Sequence, residues 1–175
     1  SNTGMQQHPE VEVMQADEYD KIIKDPFGFS AEELIYRNAQ AYSKDDPVAF
    51  GIAVLRTVYQ SQDFAKVAAA AGAYLKEEYD FFPNPPAGTG GYQLVPFDLL
   101  ADRNRGFSAI TKDIKRQPQK ILDAMDALMP YCIDRASKSK LHPLGSNQTM
   151  THMAAFLRTS EFEKFYWKHF NELVH

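Results

Sequence analysis

The chain is 175 residues long, 44% hydrophobic and 13% aromatic, which is enough apolar side chain to bury one core of single-domain size. Its 19 Lys+Arg stand against 23 Asp+Glu, and a formal charge of -4 supplies no basic footprint for a phosphate backbone, which argues against a nucleic-acid partner. Cys132 is the single cysteine, so no internal disulfide and no thiolate metal cage can be built from this chain alone, as suits a reducing cytoplasm. With no apolar run near the length of a membrane span and no basic-then-apolar leader, neither membrane insertion nor export is expected. Residues 1–7 read as a tag remnant or frayed end, leaving residues 8–175 as one domain.

Helical periodicity dominates. Ser30-Ala31-Glu32-Glu33 is a capping-box pattern that predicts a helix start and a run to about Tyr42. Asp46-Pro47 fits an N-cap followed by proline at the first helical position, and Val48, Ile52, Leu55 and Tyr59 then share one face. From Gln62, the positions Phe64, Val67, Ala68, Ala71, Leu75 and Tyr79 form another stripe, and the Pro/Gly run at 83–91 ends it. A further helix opens at Pro118, with Ile121, Met125, Leu128 and Cys132 spaced by four, three and four. Ser160-Glu161-Phe162-Glu163 repeats the capping-box pattern before Phe165, Tyr166, Phe170 and Leu173. The best strand candidates are short: residues 11–14, 92–95 and 140–144. Strands that alternate with helices imply a parallel sheet, yet three strands leave too many helices uncovered, so the pattern reads as a segment of a larger α/β barrel or layered fold.

Four residues stand out as candidate ligand contacts. Asp98, Arg103 and Arg105 crowd "PFDLLADRNRG", where two guanidinium groups could grip a carboxylate or phosphate in bidentate fashion. The plainer alternative has Asp98 capping its own turn and the arginines pairing with Asp102 and Asp113. His142 lies in "LHPLGSNQ", beside a polar glycine loop that suits a strand-end mouth, though a histidine next to proline also serves structure. His152 and His169 have no partner at metal-ligand spacing, and His169 reads as helix surface. Gly88-Thr89-Gly90-Gly91 precedes a strand and lacks a following Gly-Lys-Ser/Thr, so it is read as a loop and not a phosphate cradle. The aromatics Phe162, Phe165, Tyr166, Trp167 and Phe170, without basic interleaving, read as core or an open apolar face.

Three stretches in order, "EYDKIIKDPFGF" (18–29), "PFDLLADRNRGFSAITKDIKRQPQKILDAMDALMP" (96–130) and "LHPLGSNQTM" through "SEFEKFYWKHFNELV" (141–174), resemble the uroporphyrinogen decarboxylase superfamily and its corrinoid-dependent methyltransferase branch. Pro96, Phe97, Asp98, Leu99, Gly106, Pro118, Lys120, Ile121 and Leu122 match the family pattern, with Gln119 where glutamate is usual. The resemblance implies an α/β fold, a partial (β/α)8 TIM barrel that is helix-rich with few short strands. It also implies that Pro96–Leu99 closes a barrel strand, near the strand-end face where active sites of this barrel gather. The arginine-rich segment that grips substrate carboxylates in the decarboxylases and the late His/Cys zinc set of the thiol-methylating branch find no match, so the resemblance implies a central fragment, inactive alone. A tetrapyrrole or corrinoid is then the expected ligand, with corrinoid the cofactor only of a complete methyltransferase, which works with a separate corrinoid protein. The complete activity would be decarboxylation of uroporphyrinogen or corrinoid-linked methyl transfer. A third expectation, from the apolar stripes alone, is a non-catalytic helical module that docks a partner, and faces left open by missing strands predict a homo-oligomer.

Overall fold

The computed structural model describes residues 12–38, 45–81, 92–137 and 148–175. Helix dominates them, as the periodicity predicts, and the strands are few and short. The chain groups into two compact units.

The first unit contains the core. Helix α1 covers Tyr19–Lys24. Helix α2 follows at Pro26–Phe29, widens to π-helical hydrogen bonding over Ser30–Leu34 and is described onward over Ile35–Asn38. Its start lies at Asp25, not Ser30: the Asp25 carboxylate accepts the Gly28 N–H at 2.8 Å. Asp25-Pro26 is therefore the same N-cap-proline device as Asp46-Pro47, and Ser30, one turn in, donates its hydroxyl back to the Pro26 carbonyl. A Cβ at Gly28 would stand 2.2 Å from Oδ2 of the same carboxylate whose Oδ1 caps the helix, so a larger residue there would have to displace the cap.

Strand β1 is Tyr92–Leu94 and pairs with β2, Gln148–Met150, in a two-stranded sheet. Sequence placed β1 within one residue but read Gln148 as loop. Residues 12–14, expected as strand, are irregular: the Val13 and Met14 amides both donate to the Asn104 carbonyl, at 2.9 and 2.8 Å, in place of a ladder. The candidate at 140–144 lies outside the described residues. Among the described residues this sheet is the whole of the β structure, and the barrel layout is not seen.

Pro96–Leu99 does not close the strand. Proline at the first helical position starts a helical turn, α3, directly after Val95. Leu100–Arg105 continues it with π-type hydrogen bonds to Gly106, whose φ of 78° lies where L-residues rarely sit. Helices α4, Phe107–Arg116, and α5, from Pro118 to Ser137, follow. The predicted inward stripe of α5 is right: Ile121, Met125, Leu128 and Cys132 are all buried. A 3₁₀ turn, His152–Phe156, leads to α6, which runs through Thr159–Phe162, Glu163–Trp167 and Lys168–Val174. This helix begins two residues earlier than the Ser160 pattern implies, with Glu161 reaching back to the Arg158 amide at 3.1 Å. Phe165, Tyr166, His169 and Leu173 form its buried face, and Trp167 stays half exposed.

The second unit is mostly one helix, α7 in order of introduction, Pro47–Tyr79. Asp46 caps it as predicted, accepting the Ala49 amide at 2.9 Å. The two helices expected on either side of Gln62 are one. Thr57 and Ser61 spend their hydroxyls on carbonyls four residues back instead of opening a new N-terminus, and no Gly or Pro interrupts residues 52–71. Asp80, with φ 50°, supplies the left-handed C-cap. None of the helix's residues is buried.

Candidate functional site

The first unit has an open cleft of about 590 Å³, walled by Pro26, Ala31, Leu34 and Ile35 of α2, by Leu99 with Arg103 and Asn104, and by Leu128, Pro130 and Tyr131 of α5. Each wall has a sequence cause. The Asp25 cap sets the start of α2, the wide turns of Leu100–Arg105 carry Arg103 out to the surface, and Pro130 breaks the hydrogen-bond ladder inside α5 beside Tyr131. Its size lies in the range of small-molecule sites, and its lining is mainly apolar with a few polar groups, as such sites are.

Of the four expected ligand contacts, Arg103 lines this cleft. It is exposed, and among the described residues it forms no hydrogen bond or ion pair. Asp98 is fully buried, 0% exposed, and accepts the Met153 amide at 3.0 Å and the Tyr166 hydroxyl. Burial, and then the Asp98 carboxylate, push the Tyr166 phenol far above its ordinary range, so the hydroxyl stays a donor. This pair ties the turn after β1 to the last helix.

Arg105 is also inside, 3% exposed. Its Nε donates to Asp113 Oδ2 at 2.7 Å, and its Nη1 donates to Glu12 at 2.8 Å and to the Met14 carbonyl. Tyr19 donates to the same Asp113 oxygen at 2.9 Å. Burial, the largest single influence, would lower the guanidinium, but the hydrogen bonds to Asp113 and Glu12 and the Asp113 charge together outweigh it and hold Arg105 above its usual value. The pairing of an arginine with Asp113 that the sequence offered as the plainer alternative is what the structure has at Arg105. His142 lies outside the described residues.

Sequence reasoning missed the cleft itself, because α2, Arg103 and α5 are distant in the chain. It also placed His169 on the surface. His169 is 1% exposed and its Nε2 pairs with Asp126 Oδ1 at 2.8 Å, a carboxylate shared with Lys168 at 3.0 Å. The period-four link from Phe165 to His169 to Leu173 is the signal that would have placed it on the inward face.

A second charged cluster fastens the chain ahead of α2. Glu18 accepts from both Nη nitrogens of Arg37, at 2.6 and 2.9 Å, and from Lys21 at 2.8 Å. The Arg37 hydrogen bonds hold its carboxyl well below the usual carboxylate range despite burial. Among the described residues no group of three His, Cys, Asp or Glu side chains could hold a metal ion, and no helix is long and apolar enough to cross a membrane. No family model, curated protein or solved structure matches the chain.

Proposed function

We propose that this chain belongs to a uroporphyrinogen decarboxylase-like protein and forms part of its binding site for a tetrapyrrole or corrinoid. The observation that carries the reading is the apolar cleft with Arg103 at its wall, one turn beyond the Pro96–Leu99 motif. The order of parts is compatible with it: a short strand precedes Pro96–Leu99, although that motif is helical and does not close the strand, and Gly106 and a proline-led helix at Pro118 follow. On this reading β1 and the helices after it are β/α elements of an incomplete (β/α)8 barrel. Arg103 meets the ligand, whereas Asp98 and Arg105 hold the surrounding turns in place. The activity of the complete protein is then decarboxylation or corrinoid-linked methyl transfer.

Absorbance titration tests this with uroporphyrin and with hydroxocobalamin as separate probes. Saturable binding of at least one, weakened by Arg103→Gln, is the expected result; no saturable binding of either would sink the reading.

One observation favours a second reading, a helical module that docks a partner or another copy. The long helix Pro47–Tyr79 leaves Leu55, Tyr59, Phe64, Val67 and Tyr79 exposed. Concentration-dependent sedimentation abolished by Leu55→Lys with Val67→Lys would support it, and a strict monomer in both forms would count against it.

A further inference from the structure

We propose that the cleft selects a flat, largely apolar ligand with a single acid group, paired by Arg103 and covered by Phe27 and Tyr131. The inference rests on the cleft being a ligand site and narrows what that site takes.

The aromatic contribution comes from exposure. Phe27 lines the cleft yet is 81% exposed, and Tyr131 across the lining is 50% exposed. A phenyl ring left in water beside an apolar concavity gains most when a second flat apolar surface covers it, and ring-on-ring packing adds to the area term.

The charge contribution comes from commitment. Arg37, Arg105, Lys21, Lys120 and Lys168 each have a carboxylate partner. Arg103 has none among the described residues and lines the cleft. Of the other polar residues on the lining, Ser30 spends its hydroxyl on the Pro26 carbonyl, and Asn38, Asn104 and Tyr131 bring neutral side chains that add no positive charge. Asp25 is a second charge on the lining, and its carboxylate is tied to the Gly28 amide. One acid on the ligand is matched by the Arg103 fork, whereas a ligand with several acids would set the rest against Asp25 and an apolar wall that has no further cation among the described residues, an arrangement that costs affinity. On this inference decarboxylation, whose substrate carries several acids, becomes the less favoured of the two activities proposed above.

Fluorescence titrations with three pyrenes of one ring size test it: pyrenebutyric acid (one acid), pyrenebutanol (neutral) and pyrenetetrasulfonic acid (four). Pyrenebutyrate is expected to bind at least tenfold more tightly than either of the others. Arg103→Gln, at an exposed position that leaves the fold intact, removes that preference and leaves pyrenebutanol affinity unchanged, and Phe27→Ala weakens pyrenebutyrate and pyrenebutanol by a similar factor, about fivefold. Equal binding of pyrenebutanol and pyrenebutyrate, tighter binding of the tetrasulfonate, or an acid preference that survives Arg103→Gln overturns the inference while leaving the cleft a ligand site. Failure of all three pyrenes to bind overturns the inference, whereas the reading on which it rests falls only if neither uroporphyrin nor hydroxocobalamin binds.

Discussion

Arg105 and Asp113 stand on either side of Gly106 and close on each other at 2.7 Å inside the first unit, with the Tyr19 hydroxyl on the same carboxylate oxygen at 2.9 Å. Both charges are almost fully buried, so removing one leaves the other without compensation. Asp113→Ala and Arg105→Ala should each destabilise the fold by about 3–5 kcal/mol in chemical denaturation. Tyr19→Phe, which removes one donor from a charged acceptor, should cost about 1–3 kcal/mol. Were Arg105 a ligand contact instead, its truncation would lower ligand affinity and leave the denaturation midpoint in place.

Asp98 and Tyr166 make the corresponding link between the turn after β1 and α6. Tyr166→Phe strips a buried carboxylate of its phenol donor and should cost about 1–3 kcal/mol. Burial first, and a neighbouring carboxylate second, raise both Tyr166 and Tyr19 well above an ordinary phenol. Ultraviolet titration should therefore show two of the nine tyrosines ionising only as the fold is lost at alkaline pH. Nine tyrosines titrating as one ordinary group would refute both buried pairings.

These two networks show how unevenly the chain's order reveals its structure. Helix starts at Pro47 and Pro118 and the buried stripe of α5 were legible, since caps and period are local. The shift from the Tyr59 stripe to the Phe64 stripe looked like a break between helices: a step of five residues turns the apolar face by about 140° around a helix of 3.6 residues per turn. In an exposed helix nothing enforces a single apolar face, so the helix runs on through the shift. The cleft was illegible for a different reason: Phe27, Arg103 and Tyr131 carry no mutual spacing signal. Arg103 and Arg105 look equivalent in sequence, and only the π-type turns, which send one outward and the other against Asp113, separate their roles.

The Glu18–Arg37 cluster makes stability depend on acid in a defined direction. Glu18 titrates lower in the fold than in the unfolded chain, so its contribution is fully present above the ordinary glutamate value of about 4.3 and is lost as pH falls further through the depressed folded value. Melting temperature should drop below about pH 4 in the native chain. Glu18→Gln should lower stability by about 1–3 kcal/mol at neutral pH and flatten that acid limb. An unchanged acid limb in the variant would rule the cluster out as its source.

Gly51 and Gly72 sit in the long helix Pro47–Tyr79 with open space where a Cβ would stand. Gly72→Ala should therefore raise helix stability by about 0.5–1 kcal/mol, read as greater helicity on mild heating. A loss of helicity would mean that a neighbour fills that space.

The cleft as a ligand site is the central claim, and filling it is the most direct test. Ala31 lines it from α2 at an exposed position, so Ala31→Trp places an indole in the cavity without entering the core. The measurement is isothermal titration of hydroxocobalamin and pyrenebutyric acid against the native chain and this variant, with thermal melts alongside. The account predicts that whichever probe binds the native chain loses at least tenfold in affinity on Ala31→Trp while the melting temperature holds. Unchanged affinity in a folded variant would contradict it.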